Sequence, residues 1–241
     1  MKIQNKIAVI TGAGKGIGKA TAELFIKEGA KVVLTSRNMA DLEQIVRDNE
    51  SNQDNITIIA GDISKEDTIG KVIDETIGKY GKIDILVNNA GFSVFDNMVD
   101  SKTEDFDAIF NTNIRALYLV TKGFLPSMMK EQSGTIINIA SIAGKQGFAT
   151  GSIYCASKHA VMGLSRALML EVRQSNIRVC VICPGSVATD FFRAESQTTL
   201  SSSKESVLSA EDIAETILLA ASLPGNAMIG EIEIRPTNPR K

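Results

Sequence analysis

The chain has 241 residues, 44% hydrophobic and 22% charged, with a formal net charge of −2. That composition can fill a sizeable core beneath a charged surface, and the near-neutral balance offers no basic footprint for nucleic acid. No apolar run approaches the ~20 residues that span a bilayer, and the polar stretch from Met1 to Asn5 runs straight into the first strand, so neither membrane insertion nor a secretory signal is expected.

Lys6 to Ile10 reads as a short buried strand, followed directly by the turn Thr11-Gly12-Ala13-Gly14-Lys15-Gly16-Ile17-Gly18. A helix is predicted from Lys19 to Glu28, with Ala20, Leu24 and Phe25 as its apolar stripe and Gly29 as its stop. A strand at Lys31 to Ser36, a helix at Met39 to Asn49 and a strand at Ile56 to Gly61 come next. A helix from Glu66 to about Lys79 leads to a strand at Ile83 to Asn88. Ser101 and Glu104 have the spacing of a capping box, which predicts one long helical region toward Lys130, bent or ended at Pro126. Thr135 to Ser141 is a strand, Tyr154 to Gln174 a helix and Ile177 to Cys183 a strand. Ser209 caps a last helix ending near Leu223, and Glu231 to Arg235 is the last strand. Strands alternating with helices of this length imply parallel βαβ units, hence an α/β fold. No repeat or linker divides the chain, although length alone would also admit two domains.

Three features carry chemistry. A strand, a glycine-rich turn and a helix start present free N–H groups and the positive end of a dipole to a phosphate. The spacing T-G-x-x-x-G-x-G, with Gly12, Gly16 and Gly18, departs from the G-x-G-x-x-G fingerprint. Tyr154 and Lys158 are four residues apart in a predicted helix and so emerge on one face. A cation beside a phenol favours the phenolate, so Lys158 is expected to lower the pKa of Tyr154. Thirteen residues before Tyr154 stands Ser141.

Other candidates read as structural. Cys155, Cys180 and Cys183 form neither an even disulfide set nor a metal-binding pair of pairs. Cys180-x-x-Cys183 lies inside an apolar strand rather than at an activating helix N-terminus, and a reducing cytoplasm is the expected setting. No metal site is expected. His159, the single histidine, is turned about 100° around the helix from Lys158 and is expected to be structural or on the surface. The Ser- and Thr-rich segment Glu195 to Ser206 cannot hold one conformation by its own apolar burial; it reads equally as a surface loop or a lid.

Taken together, Thr11 to Gly18, Asn88-Asn89-Ala90-Gly91, Asn113, Ser141, Tyr154-x-x-x-Lys158 and Pro184-Gly185 occur in the order and spacing of the short-chain dehydrogenase/reductase family, which the whole chain resembles. The resemblance implies a single Rossmann-fold domain over residues 1–241: a doubly wound seven-stranded parallel sheet with helices on both faces, and a substrate loop at about 190–208. It implies a catalytic tetrad of Asn113, Ser141, Tyr154 and Lys158. Tyr154 would be the proton donor, Ser141 a hydrogen-bond donor to the carbonyl, Lys158 also a ligand of the nicotinamide ribose, and Asn113 the holder of a relay water. The cofactor residues it implies are Gly12, Gly14, Lys15, Gly16, Ile17 and Gly18 in the first turn and Ser36 and Arg37 after the second strand. To these it adds Asp62 and Ile63, with Asp62 on adenine, then Asn89, Ala90 and Gly91, and Pro184, Gly185, Val187 and Thr189 on the carboxamide side.

Charge then chooses the dinucleotide. An acidic residue ending the second strand would favour NAD, whereas Ser36, Arg37 and Lys15 place two cations there and no carboxylate, which favours NADP with its 2′-phosphate. The expected activity is NADPH-dependent reduction of a ketone or other carbonyl compound. Phe92, Ile142, Phe148 and Phe191 are expected to ring a partly apolar site. A 3-oxoacyl thioester on acyl carrier protein is one substrate class, although the ending Ile234-Arg235-Pro236-Thr237-Asn238-Pro239 looks more like the carbonyl, hydroxy-acid and sepiapterin reductase branches. A non-catalytic dinucleotide-sensing protein would be expected to have lost the tetrad, and an extended-family epimerase to show T-G-x-x-G-x-x-G and a longer C-terminal part. The family implies a homotetramer or homodimer, for which Val161, Leu164 and Leu168 offer an apolar stripe that could equally face the protein's own core.

Overall fold

A computed structural model describes residues 1–189 and 207–238. Seven strands, β1 (Ile7–Thr11), β2 (Lys31–Ser36), β3 (Ile56–Ala60), β4 (Ile85–Asn88), β5 (Gly134–Ile139), β6 (Ile177–Pro184) and β7 (Glu231–Ile234), form one sheet in the order β3-β2-β1-β4-β5-β6-β7. Every pairing is parallel. The helices are α1 (Gly16–Lys27), α2 (Met39–Asp48), α3 (Glu66–Tyr80), α4 (Thr103–Phe110), α5 (Leu117–Glu131), α6 (Ser152–Val172) and α7 (Ala210–Ser222).

Strand periodicity sorts side chains into two cores. Ala8 and Ile10 of β1, Val32 and Leu34 of β2 and Val87 of β4 pack with Phe25 of α1, Leu42 and Ile45 of α2, and Ile213 and Ile217 of α7. Val9, Val33 and Leu86 point the other way, onto Val72 of α3, Val120 and Phe124 of α5 and Leu168 of α6. This is the doubly wound arrangement expected of the sequence.

The predicted capping box at Ser101 does not form. The Ser101 hydroxyl donates to Met98 O instead, and α4 starts after Lys102 with no side-chain cap. The predicted long helix is broken by a π-turn over Asn111–Ala116, where α4 gives way to α5. Pro126 does not end the second part, which runs on to Glu131. A capping box does exist at Ser209, whose hydroxyl accepts from Asp212 N at 3.1 Å while Asp212 accepts from Ser209 N at 2.8 Å. The Ser- and Thr-rich segment, Phe191 and most of the predicted substrate loop lie outside the described residues. Where the chain is again described, Leu208 pairs with Val187.

Candidate active site

The strand order runs one way from β1 and the other way from β4, so their C-terminal ends flank the crevice where open α/β sheets bind ligands. The glycine turn after β1 is stitched to the end of β4. Thr11 Oγ1 accepts from Asn89 N and Ala90 N, each at 3.1 Å, and Asn89 Nδ2 donates to Thr11 O at 3.0 Å and Gly12 O at 3.1 Å. Gly12 has φ +66°, and a Cβ there would lie 2.9 Å from Ala90 Cα; one on Gly18 would lie 2.2 Å from Gly12 O. Side chains at these positions would pry the turn from β4 or from itself. Gly16, with φ +52°, opens α1, whose first turn carries no acidic residue to neutralise the positive dipole end.

Other predicted cofactor residues gather on this turn. A Cβ on Gly14 would lie 2.6 Å from Ser36 Oγ, and one on Gly16 would lie 3.0 Å from Thr189 Cγ2. Lys15 and Arg37 are exposed at the same end of the sheet. Burial works against the charge of Asp62, yet hydrogen bonds from Ser64 and the charges of Arg37 and Lys65 hold its carboxyl below the ordinary range. Ile63 differs in kind from its neighbour: its side chain is buried with Val9 and Val33, so only its main chain remains for a cofactor. Ile17 likewise packs against the core. Gly185 N donates to Ile234 O at 2.8 Å, which fixes the Pro184-Gly185 segment against β7, and Thr189 N donates to Val187 O at 2.9 Å.

The four predicted catalytic residues converge beside this crevice. Ser141, just past β5, accepts from Ala143 N at 3.1 Å and hydrogen-bonds the Tyr154 hydroxyl. Tyr154 and Lys158 project from one face of α6, with Lys158 Nζ 5.8 Å from the tyrosine ring centroid. Lys158 Nζ donates to Ile139 O at 2.9 Å. Gly91 lies between these groups: a Cβ there would be 3.1 Å from Asn113 Oδ1 and 3.7 Å from Lys158 Nζ.

One expectation is corrected by burial. Burial pushes the Tyr154 phenol up to about 12 against the opposing Ser141 bond, so the net shift is upward and not the expected lowering. The lysine is itself brought down to about 8 by burial. Low dielectric penalises both charged forms and outweighs the attraction expected from spacing alone. Asn113 lies in the π-turn and is buried. Its Oδ1 accepts from Phe92 N at 3.0 Å, and its Nδ2 donates to Phe92 O at 3.0 Å and Ser157 Oγ at 3.1 Å. Both amide hydrogens are used in bracing the loop after Gly91 to α6, while the amide oxygen keeps a second lone pair.

On the open side of the site, the Phe95 ring packs edge-on to Tyr154 with centroids 5.7 Å apart and tilts against Phe148 at 5.5 Å. Phe148 was legible in the sequence and Phe95 was not, although it follows Phe92 by three residues on the same loop. Phe92 and Ile142 are half-buried. His159 is exposed and bonded to Cys155 O through Nδ1, outside the site. The three cysteines are free and buried, and burial raises the Cys180 thiol to about 12 and the Cys183 thiol to about 11, which suits packing rather than redox work. Among the described residues no cluster of His, Cys, Asp or Glu could hold a metal.

The family model for short chain dehydrogenases matches residues 6–200. An uncharacterised oxidoreductase of Staphylococcus aureus strain MRSA252 is 34% identical over 234 residues, covering 97% of this chain and 98% of its own. A 3-oxoacyl-(acyl-carrier-protein) reductase of Thermotoga maritima is 32% identical over 241 residues, covering 96% of each. Among solved structures, a metagenomic short-chain oxidoreductase in complex with NADP superimposes with a TM-score of 0.85 at 32% identity, over 99% of this chain and 100% of that one. With the glycine turn, the β4 end and the Ser141, Tyr154 and Lys158 side chains assembled at one crevice, the chain belongs to the short-chain dehydrogenase family of oxidoreductases.

Proposed function

We propose that the protein reduces a ketone to an alcohol with NADPH, Tyr154 supplying the proton. The observation that carries this reading is a buried, neutral phenol hydrogen-bonded to Ser141 at the crevice between β1 and β4. The residues present fit a dinucleotide: the space that Cβ atoms on Gly12 and Gly16 would fill is kept open, and the α1 N-terminus faces it. Gly12, Gly14, Gly16 and Gly18 would hold the pyrophosphate, Lys15, Ser36 and Arg37 the 2′-phosphate, and Asn89 to Gly91 with Pro184 to Thr189 the nicotinamide half. The bound nicotinamide supplies the hydride.

The chain's own groups do the rest. Ser141 Oγ donates to the substrate oxygen and holds it beside Tyr154. A phenol with a pKa of about 12 keeps its proton at neutral pH until an alkoxide forms to take it. The tyrosinate left behind is stabilised by the Lys158 ammonium on the same helix face. Phe95 and Phe148 wall the site with aromatic surface, which suits a ketone carrying an apolar substituent. A 3-oxoacyl thioester meets that description and is the substrate class of the Thermotoga relative. The hydroxy-acid and sepiapterin-type alternative is separated from it by a substrate panel followed through loss of NADPH absorbance. The reading further includes a cytoplasmic setting and a homotetramer or homodimer.

Two charge-assisted bonds to a 2′-phosphate, each ~1.5–3 kcal/mol, predict kcat/KM for NADPH above that for NADH by at least about tenfold. Arg37→Asp should erode that ratio. Equal efficiency with both cofactors in the unaltered protein would overturn the NADPH assignment.

A further inference from the structure

Ser141 opens a short turn whose Ala143 is buried against Tyr154 and Cys155 of α6 and whose far end leads into exposed chain. After β5 the chain makes a 3-10 turn at Ile142–Gly144, closed by Gly144 N to Ser141 O at 2.9 Å and Lys145 N to Ile142 O at 2.9 Å. A Cβ on Gly144 would lie 2.8 Å from Lys158 O, so the turn lies against α6. Beyond it, Gln146 to Thr150 are exposed and in no helix or strand. At the end of the turn Lys145 reaches across the sheet edge, its Nζ 2.5 Å from Glu231 Oε1 and 2.8 Å from Glu233 Oε2.

The carboxylates are placed there by strand register. Glu231 pairs with Val181 and Glu233 with Cys183, whose side chains pack against Val161 and Met162 of α6. Ile232 and Ile234, at the alternate positions, pack on the opposite core. Arg166 of α6 holds Glu231 at 2.9 Å, and Arg235 holds Glu233 at 2.5 Å. The cluster therefore joins the Ser141 turn, the helix bearing Tyr154 and Lys158, and the strand that fixes Gly185. All three of its central side chains are roughly one-third exposed, Lys145 at 29%, Glu231 at 30% and Glu233 at 32%. Isolated pairs so exposed contribute little to stability, so what this network offers is geometry.

We infer that Lys145, clamped between Glu231 and Glu233, is a positioning residue that sets the Ser141 hydroxyl against Tyr154. The inference rests on Ser141 acting in the reduction proposed above. Removing the clamp lets the turn drift, which lowers kcat while leaving cofactor affinity alone.

The test is a double-mutant cycle. Lys145→Met should lower kcat about tenfold, with the Kd for NADPH from fluorescence titration unchanged and Lys145→Arg restoring most of the loss. In a Ser141→Ala background, Lys145→Met should cost less than about twofold more. The Glu231→Gln, Glu233→Gln double variant removes the clamp from its other end and should reproduce the kcat loss if Lys145→Met folds poorly. Unchanged kcat in both variants, or equal losses with and without the Ser141 hydroxyl, would overturn the clamp. A Ser141→Ala protein with full turnover would instead overturn the catalytic reading beneath it.

Discussion

Burial moves Tyr154 and Lys158 in opposite directions on the pH scale, each toward its uncharged form. Between about 8 and about 12 the phenol is still protonated while the lysine has lost its ammonium. The ratio kcat/KM for NADPH reports groups of the free protein. It should therefore be level below about pH 8 and fall above it as Lys158 deprotonates, with Tyr154 contributing no loss in that range. A steady-state profile that stays flat to about pH 10 would contradict the lysine's part. That these two side chains lie side by side was readable from their spacing, because a helix fixes which side chains share a face. The sign of the phenol's shift was not, because it depends on how much water each group loses, and sequence spacing carries no measure of that.

At the scale of elements, the nature of most strands and helices followed from apolar periodicity and glycine punctuation. The π-turn at Asn111–Ala116 did not, since it widens a helix without any breaker residue to announce it. That turn is where Asn113 leaves α4 to clamp Phe92, so the element that sequence missed positions a residue that sequence found. The stripe Val161, Leu164 and Leu168 faces the protein's own interior, with Val161 fully buried. Exposed aromatic surface occurs instead on α4 and α5, where Phe106 is 42% and Tyr118 45% exposed, Phe106 stacking on Phe110 at 4.5 Å and Lys122 Nζ lying 5.7 Å from the Tyr118 ring. Such a face suits burial against a second copy. Light scattering should return an oligomer for the unaltered protein and a smaller species for a Phe106→Glu, Tyr118→Glu variant; a wild-type monomer would contradict the assembly.

For the whole molecule, the sheet order brings the motifs together. Gly12, Asn89, Ser141 and Tyr154 are spread over more than half the chain, yet β1, β4 and β5 are neighbours and α6 packs beside them. Ordered motifs were enough to expect that convergence by resemblance to a family. Contacts specific to this chain were not legible: Phe95 on Tyr154 and Lys145 on Glu231 join distant segments through side-chain reach, for which there is no local pattern. The central claim, that the Tyr154 hydroxyl supplies the proton, is tested most directly by Tyr154→Phe, with NADPH binding and ketone-dependent NADPH loss measured on the same preparation. The variant should bind NADPH within about twofold of the unaltered protein and lose at least about a hundredfold in kcat. Undiminished turnover from a protein with phenylalanine at that position would contradict it.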